Sequence, residues 1–121
     1  MLAGFFIKAR KIETKNIPEP ETPVDGLKIK VRACAVCGSD LRRWREGPQP
    51  GADDMVPGHE IAGDVIDVGA AVSDYKTGDR LAIGPDVHCN NCYFCEIGRY
   101  NLCDNLVLYG ITPGHFGGFA E

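Results

Sequence analysis

The sequence predicts a small, mainly β domain, a barrel or a sandwich, with one short helix and a lobe pinned by a metal ion. Its length of 121 residues suits a single domain with one core. Fifteen glycines and eight prolines favour many turns and short strands over long helices. Four closely spaced cysteines in the last third of the chain, Cys89, Cys92, Cys95 and Cys103, can hold a lobe that has little core of its own.

Strands account for most of the predicted elements. In the segment at residues 27–34 apolar and basic side chains alternate, so one buried face is expected, which carries Leu27, Ile29, Val31 and Ala33. The other predicted strands lie at residues 5–8, 60–68, 80–83 and 106–109. The remaining segments are predicted as a proline-rich connector, a turn and a glycine-rich tail, at residues 17–25, 74–79 and 110–121.

One helix is predicted, at residues 39–46, where Ser39 or Asp40 can cap the start and Gly47-Pro48 ends it. Cys37 lies just before this helix, where the helix N-terminus favours a thiolate. Trp44 either packs on the inner face of the helix or, with the polar loop that follows up to residue 54, borders a pocket.

The charge pattern argues against nucleic acid and membrane partners. The net charge is −4, and acidic and basic residues are interleaved without a basic face. No apolar run is long enough to span a bilayer, and the first residues make a poor signal peptide, so a cytoplasmic protein is expected. In that setting the cysteines are expected to be metal ligands, with a disulfide framework as the alternative, and Cys34 is expected to be a buried, inert thiol.

The four clustered cysteines have the spacing C-x2-C-x2-C-x7-C, which favours a closed tetrahedral zinc site in a lobe at about residues 86–104. An iron–sulfur cluster is the alternative, but it favours a short last gap and a proline after the last cysteine. Gly98 can reverse the chain in the long gap, and Asn90 and Asn91 tolerate left-handed backbone. Four thiolates leave no open position, so this site holds the lobe together and performs no chemistry.

A second, more dispersed set can support chemistry. Cys37, His59 and Glu60 offer mixed ligands, the kind of set that leaves an open position on a catalytic zinc ion. Asp40 can hold His59 in one tautomer, and Ser39 can carry a proton. From the residues alone, the alternative that Cys37 and His59 are ordinary packed side chains stays open.

Several motifs, in one order along the chain, resemble the medium-chain zinc-dependent alcohol dehydrogenases, and polyol and threonine dehydrogenases in particular. The run GHEIAGDVIDVGAAV, which begins at Gly58, is similar to the family signature G-H-E-x2-G-x5-G-x2-V and matches every fixed position. CGSD at residues 37–40 is similar to the family's first-ligand segment, and GDRLAIGPDVHCNNCYFCEIGRYNLC to its structural-zinc lobe. RACAVCG at residues 32–38 and the terminal GGFAE also match in kind, so the resemblance covers essentially the whole chain.

The resemblance implies that residues 1–121 form a GroES-like, partly open β-barrel, which in the family lies against a Rossmann domain for NAD or NADP. It implies a catalytic zinc ion bound by Cys37 and His59, with Glu60 as a direct or exchangeable ligand. Asp40 would support His59, and Ser39 would relay the proton. The implied reaction is hydride transfer from a zinc-bound alcohol, polyol or amino alcohol to nicotinamide, in a homodimer or homotetramer.

Three differences from the family pattern limit what the resemblance implies. No G-x-G-x-x-G occurs in the chain, so the dinucleotide-binding domain is expected to be absent from it and the 121 residues alone to be inactive. Arg42 stands where the family often has a proton-relaying histidine; because arginine cannot act as a base, the relay is shorter or runs through water. Asn90 replaces a usual glycine. The competing hypothesis is a free-standing zinc-stabilised β-barrel that serves binding or assembly without enzymatic activity.

Overall fold

The structure is a computed structural model that describes residues 1–52 and 55–121. Its strands are Leu2–Lys8 (β1), Lys11–Asn16 (β2), Leu27–Ala35 (β3), Glu60–Val68 (β4), Arg80–Ile83 (β5), Asp86–Val87 (β6) and Val107–Leu108 (β7). Its helices are Gly38–Glu46 (α1) and Tyr93–Glu96 (α2), followed by a 3-10 turn at Tyr100–Leu102.

The described residues form three antiparallel sheets. β1 and β2 form a hairpin, β3, β4 and β5 form a three-stranded sheet in that order, and β6 pairs with β7. The predicted mainly β class is confirmed, and within the described residues the sheets stay open and do not close into a barrel. The described helices are too short and too polar to cross a membrane.

The core lies where the C-terminal tail meets β1. Ala3, Phe5 and Val56 are buried there, and Phe119 and Ala120 pack against them. Ala3 forms a bridge with Ala120, and the Gly4 N–H donates to the Phe119 carbonyl at 2.8 Å. The tail, predicted as a loop, is therefore fixed along the edge of β1 by backbone hydrogen bonds.

The pairing of β3 with β4 contains two irregularities, one of them between Val31 and Ala33. A β-bulge adds a residue and shifts the alternation of side chains that follows it. Val31 is half-buried as predicted, but the prediction that Ala33 shares its buried face is wrong, because Ala33 is exposed and the half-buried side chain is Cys34. Farther along, Asp64 on β4 accepts hydrogen bonds from Arg32 on β3 and from Arg80 on β5, at 2.7 and 3.3 Å.

The helix α1 ends as predicted and begins differently. Its last turn is closed by Gly47, whose φ is 94° and whose N–H donates to the Arg43 carbonyl at 2.8 Å. The prediction that Ser39 or Asp40 is the capping residue is wrong, because the N-cap is Cys37. Asp40 instead lies at the third helical position (N3), and its Oδ2 accepts the Cys37 N–H at 2.9 Å. This is the contact from the N3 side chain to the N-cap backbone in a capping box.

Candidate metal centres

The four cysteines of the lobe converge on one point. Their Sγ atoms all lie within 4.8 Å of one another, and three of the separations are 3.5, 3.5 and 4.0 Å. Zn–S bonds of 2.3 Å in a tetrahedron would place the sulfurs about 3.8 Å apart, so the spacing fits a zinc ion. It is far too long for a disulfide, and all six cysteines are free thiols.

Local backbone structure presents these thiols to one another. β6 and β7 pair at the base of the lobe, with Asp86 opposite Leu108 and Val87 opposite Val107. Cys92 is the N-cap of α2, and Cys95 lies one turn later. The left-handed backbone predicted for the two asparagines is adopted by Asn90, with a φ of 59°, and not by Asn91. Gly98 has a φ of 72°.

The thiols of the cysteine lobe differ in their pKa values. The backbone N–H of Asn91, together with neighbouring groups that include the Cys103 thiol, lowers the pKa of Cys89 to about 6. Backbone groups at Asp104 and Cys95 lower the pKa of Cys92, whereas burial raises the pKa of Cys95 to about 12. N–H groups that point at sulfur stabilise thiolates, and only a cation can draw four sulfur ligands into one small volume as thiolates.

The second predicted set also comes together. Cys37 Sγ, a His59 ring nitrogen and a Glu60 carboxylate oxygen lie within 4.8 Å of one another. Cys37 comes from the start of α1, while His59 and Glu60 come from the start of β4, so two distant segments supply the set. The three residues differ in solvent exposure: His59 is 9% exposed, Cys37 is half-buried and Glu60 is exposed. A cation held here would have protein on one side and an open side for another ligand.

Asp40 connects the two halves of this second set. It is 4% exposed, and while its Oδ2 accepts the Cys37 N–H, its Oδ1 lies 3.8 Å from His59 Nδ1. His59 Nδ1 is buried and has no hydrogen-bond partner among the described residues, and the Asp40 carboxylate faces it. A proton on Nδ1 facing this carboxylate leaves Nε2 with a free lone pair, the form in which histidine binds metals.

Ser39 lies on the other side of the ring, with its Oγ 3.4 Å from His59 Nε2. It also lines a cavity of about 130 Å³. Most of the residues that line the cavity have polar or charged side chains: Ser39, Asp40, Arg42, Arg43, Glu46, Gly47, Gln49 and Ile111. The hydroxyl of Ser39 therefore stands between the ring nitrogen that is free to bind a metal and a space that a small polar molecule can enter.

The main chain that precedes His59 packs against two glycines of the C-terminal tail, Gly110 and Gly117. A Cβ at Gly110 would lie 2.3 Å from the Gly58 carbonyl oxygen, and a Cβ at Gly117 would lie 2.0 Å from the same atom. The N–H of Gly118 donates to that oxygen at 2.8 Å. We call Gly58, Gly110 and Gly117 the glycine cluster. Its backbone contacts fix the position of the residue that precedes His59.

Several predicted positions can now be placed. Arg42 is exposed and borders the cavity, and Cys34 is half-buried beneath the glycine cluster, its Sγ 2.8 Å from where a Gly58 Cβ would be. Trp44 is half-buried and is not among the residues that line the cavity. Of the loop that follows the helix, Gly47 and Gln49 do line the cavity, while the last two residues of the predicted loop lie outside the described residues.

Comparisons with known proteins agree with this arrangement. The profile of the alcohol dehydrogenase GroES-like domain matches residues 24–121. Sorbitol dehydrogenase of Bacillus subtilis is 38% identical over 124 residues, which cover 100% of this chain and 35% of that protein.

Solved structures give the same result. An oxidoreductase of unknown specificity from Escherichia coli superposes with a TM-score of 0.91 and 31% identity, over 98% of this chain and 35% of that one. A zinc-binding dehydrogenase from Sinorhizobium meliloti, bound to NADP, superposes with a TM-score of 0.82 and 34% identity, over 100% of this chain and 35% of that one. The chain spans about a third of the length of these relatives. It belongs to the medium-chain zinc-dependent alcohol dehydrogenase family, of which it carries the GroES-like domain.

Proposed function

We propose that this chain is the zinc-binding part of the catalytic domain of an NAD(P)-dependent alcohol or polyol dehydrogenase. The observation that carries the proposal is the convergence of Cys37, His59 and Glu60. Ser39 and Asp40, which face the His59 ring, line a neighbouring cavity. A purely structural scaffold has no need of a mixed ligand set with an open side. The similarity to sorbitol dehydrogenase supports a polyol as the substrate class.

Two zinc sites are proposed, with different tasks. Cys89, Cys92, Cys95 and Cys103 hold the structural ion, and their sulfur spacing fits it. Cys37 and His59 hold the catalytic ion, with Glu60 as a direct or exchangeable ligand. The unpartnered His59 Nδ1 beside Asp40 supports this assignment, since metal-bound histidines donate their other N–H to a carboxylate.

Zinc at the second site would supply Lewis-acid chemistry, which polarises the substrate oxygen and lowers the pKa of the alcohol. We assign the orientation of His59, the binding of substrate hydroxyls and the transfer of the proton to residues of this chain. Asp40 Oδ1 holds the His59 ring in one tautomer, and the polar wall of the cavity offers hydrogen-bond partners to substrate hydroxyls. Ser39 Oγ accepts the proton that leaves the substrate hydroxyl.

The route of that proton beyond Ser39 is short. Arg42 is exposed at the rim of the cavity, but an arginine side chain does not act as a base and cannot accept a proton from Ser39. Water in the cavity is the acceptor that remains, so the proton passes from Ser39 to solvent directly. NAD or NADP, which the proposal assigns to the whole protein, would accept the hydride from the carbon that bears this hydroxyl.

The proposal is tested with the natural full-length protein. NAD or NADP reduction is followed with simple alcohols, with sorbitol and related polyols, and with L-threonine, and zinc is counted by elemental analysis. We expect turnover of a polyol and two zinc ions per chain. Cys37→Ala is expected to abolish turnover and to remove one zinc ion, whereas Cys34→Ala, three residues earlier and outside the ligand set, is expected to keep both zinc ions.

The alternative, a zinc-stabilised module without activity, makes a different prediction for the same samples. It predicts one zinc ion per chain, held by the cysteine lobe, and no change of metal content in Cys37→Ala. That outcome, together with no turnover of any alcohol by either cofactor, would overturn the proposed function. The cytoplasmic location and the homodimeric or homotetrameric state remain proposals, and fractionation and light scattering of the natural protein would test them.

A further inference from the structure

One side chain bridges the two segments that build the second centre. Arg43 lies on α1, the helix that begins at Cys37, and its Nη1 donates to the Gly110 carbonyl at 3.0 Å. The two residues are 67 positions apart in the chain, and the contact is partly buried. This hydrogen bond therefore ties the helix that carries Cys37 to the loop that follows β7.

The loop end of this bridge lies against the backbone that carries His59. A Cβ at Gly110 would lie 2.3 Å from the Gly58 oxygen and 2.8 Å from the Gly58 carbonyl carbon, so the two main chains are in direct contact. Gly58 immediately precedes His59. Arg43 is hydrogen-bonded to Gly110, and Gly110 packs against Gly58. These two contacts connect the segment that carries Cys37 to the segment that carries His59.

The charge of Arg43 also acts on this centre. Burial lowers the pKa of the Arg43 guanidinium, the negative charge of Asp40 raises it, and the positive charge of Arg42 lowers it. The guanidinium is thus close enough to Asp40 to interact with its charge. Asp40 is buried, accepts the Cys37 N–H and faces His59, so the charge of Arg43 acts on the side chain that contacts both ligand segments.

We propose that Arg43 is a positioning residue for the second metal centre, which sets the distance between Cys37 and His59 by bridging α1 to the glycine cluster. The proposal rests on the proposed function, because it assumes that a metal ion binds to Cys37 and His59. Arg42 provides a matched comparison. It is the adjacent residue of the same helix and lines the same cavity, but it is exposed and makes no hydrogen bond or ion pair among the described residues.

The test uses the natural full-length protein with cobalt(II) at the second centre. Cobalt reports each ligand through its visible absorption and its thiolate charge-transfer band, and competition with a chelator gives the affinity. Loss of a residue that orients metal ligands typically costs about 10- to 100-fold in metal affinity. We expect Arg43→Met to weaken cobalt binding at this centre about tenfold or more and to shift the charge-transfer band. Arg42→Met is expected to stay within about twofold of the wild type, and Arg43→Lys, which keeps the charge and one donor, to restore part of the loss.

The metal in the cysteine lobe serves as the internal control, because no contact of Arg43 reaches the lobe in the described structure. An Arg43→Met protein that retains wild-type affinity and spectrum at the second centre would overturn the proposal, as would an equal loss of metal from both centres. If Arg43→Met does not fold, Arg43→Ala, which also removes the donor to Gly110, is judged by the same criteria. A wild-type protein that takes up a single metal ion, in the lobe, would overturn the proposed function itself and is recognised before any variant is made.

Discussion

Replacing Gly110 with alanine should weaken metal binding at the second centre, although Gly110 is not one of its ligands. Two costs add at this position. The backbone has a φ of 70°, in the left-handed region, and a Cβ there would lie 2.3 Å from the Gly58 oxygen. An ordinary carbon–oxygen contact is about 3.3 Å, so one of the two main chains must move by about 1 Å. Either movement displaces the residue before His59 or breaks the contact that holds it.

Gly114 isolates the first of these costs. Its φ is 82°, and a Cβ there would meet no atom within 4 Å. A left-handed alanine costs about 1–2 kcal/mol, and the stiffer unfolded chain returns about 0.4–1 kcal/mol, so Gly114→Ala should destabilise the protein by about 1 kcal/mol or less. Overpacking adds about 1–3 kcal/mol, so Gly110→Ala should cost about 1–4 kcal/mol.

The test compares Gly110→Ala with Gly114→Ala in their free energy of unfolding and their cobalt affinity. Urea unfolding of the zinc-loaded natural protein gives the free energy of unfolding, and cobalt binding gives the state of the second centre. We expect Gly110→Ala to be the less stable of the two by about 1–3 kcal/mol and to bind cobalt more weakly at Cys37 and His59. Equal stability and equal cobalt affinity would show that the contact between Gly110 and Gly58 does not constrain this site.

Two further predictions concern the cysteines. Cys92→Ser removes one of the four converging thiolates, so the protein should lose one zinc ion and melt at a lower temperature, as measured by elemental analysis and calorimetry; an unchanged zinc content would contradict the structural site. Burial raises the pKa of the Cys34 thiol from its ordinary value of 9.0, so alkylation of Cys34 by iodoacetamide, followed by mass spectrometry, should be slower than that of glutathione at pH 8 and should accelerate as the pH rises past 9. Alkylation as fast as that of glutathione at pH 8 would contradict this shielding.

The elements that the sequence predicts best are those whose signal is local. The strands at residues 60–68 and 80–83 have the predicted bounds, because alternating apolar residues and flanking glycines mark both ends. β2 was not predicted, since its sequence KIETKN is polar and largely exposed and its strand conformation depends on pairing with β1. The four-residue α2 was also missed, because one turn is too short to show a helical period.

The same distinction holds for the site. The link between Cys37 and Asp40 spans three residues and follows from a helix start, so a motif can indicate it. The contacts from Asp40 to His59 and from Arg43 to Gly110 join residues far apart in the chain, so they depend on the fold and no sequence spacing predicts them. Gly110 was predicted only as part of a glycine-rich tail; its positive φ and its contact with Gly58 became visible with the structure.

The two candidate centres therefore differ in what their geometry depends on. The cysteine lobe takes all four ligands from one short stretch closed by the β6–β7 pair, so its metal can organise it with little help from the rest of the fold. The second centre takes its ligands from the start of α1 and the start of β4, and a third segment, the loop after β7, packs behind them. Its open side leaves fewer bonds from protein to metal to hold these segments together. Interactions such as the Arg43 hydrogen bond and the glycine cluster must therefore supply the rigidity that four thiolates supply in the lobe.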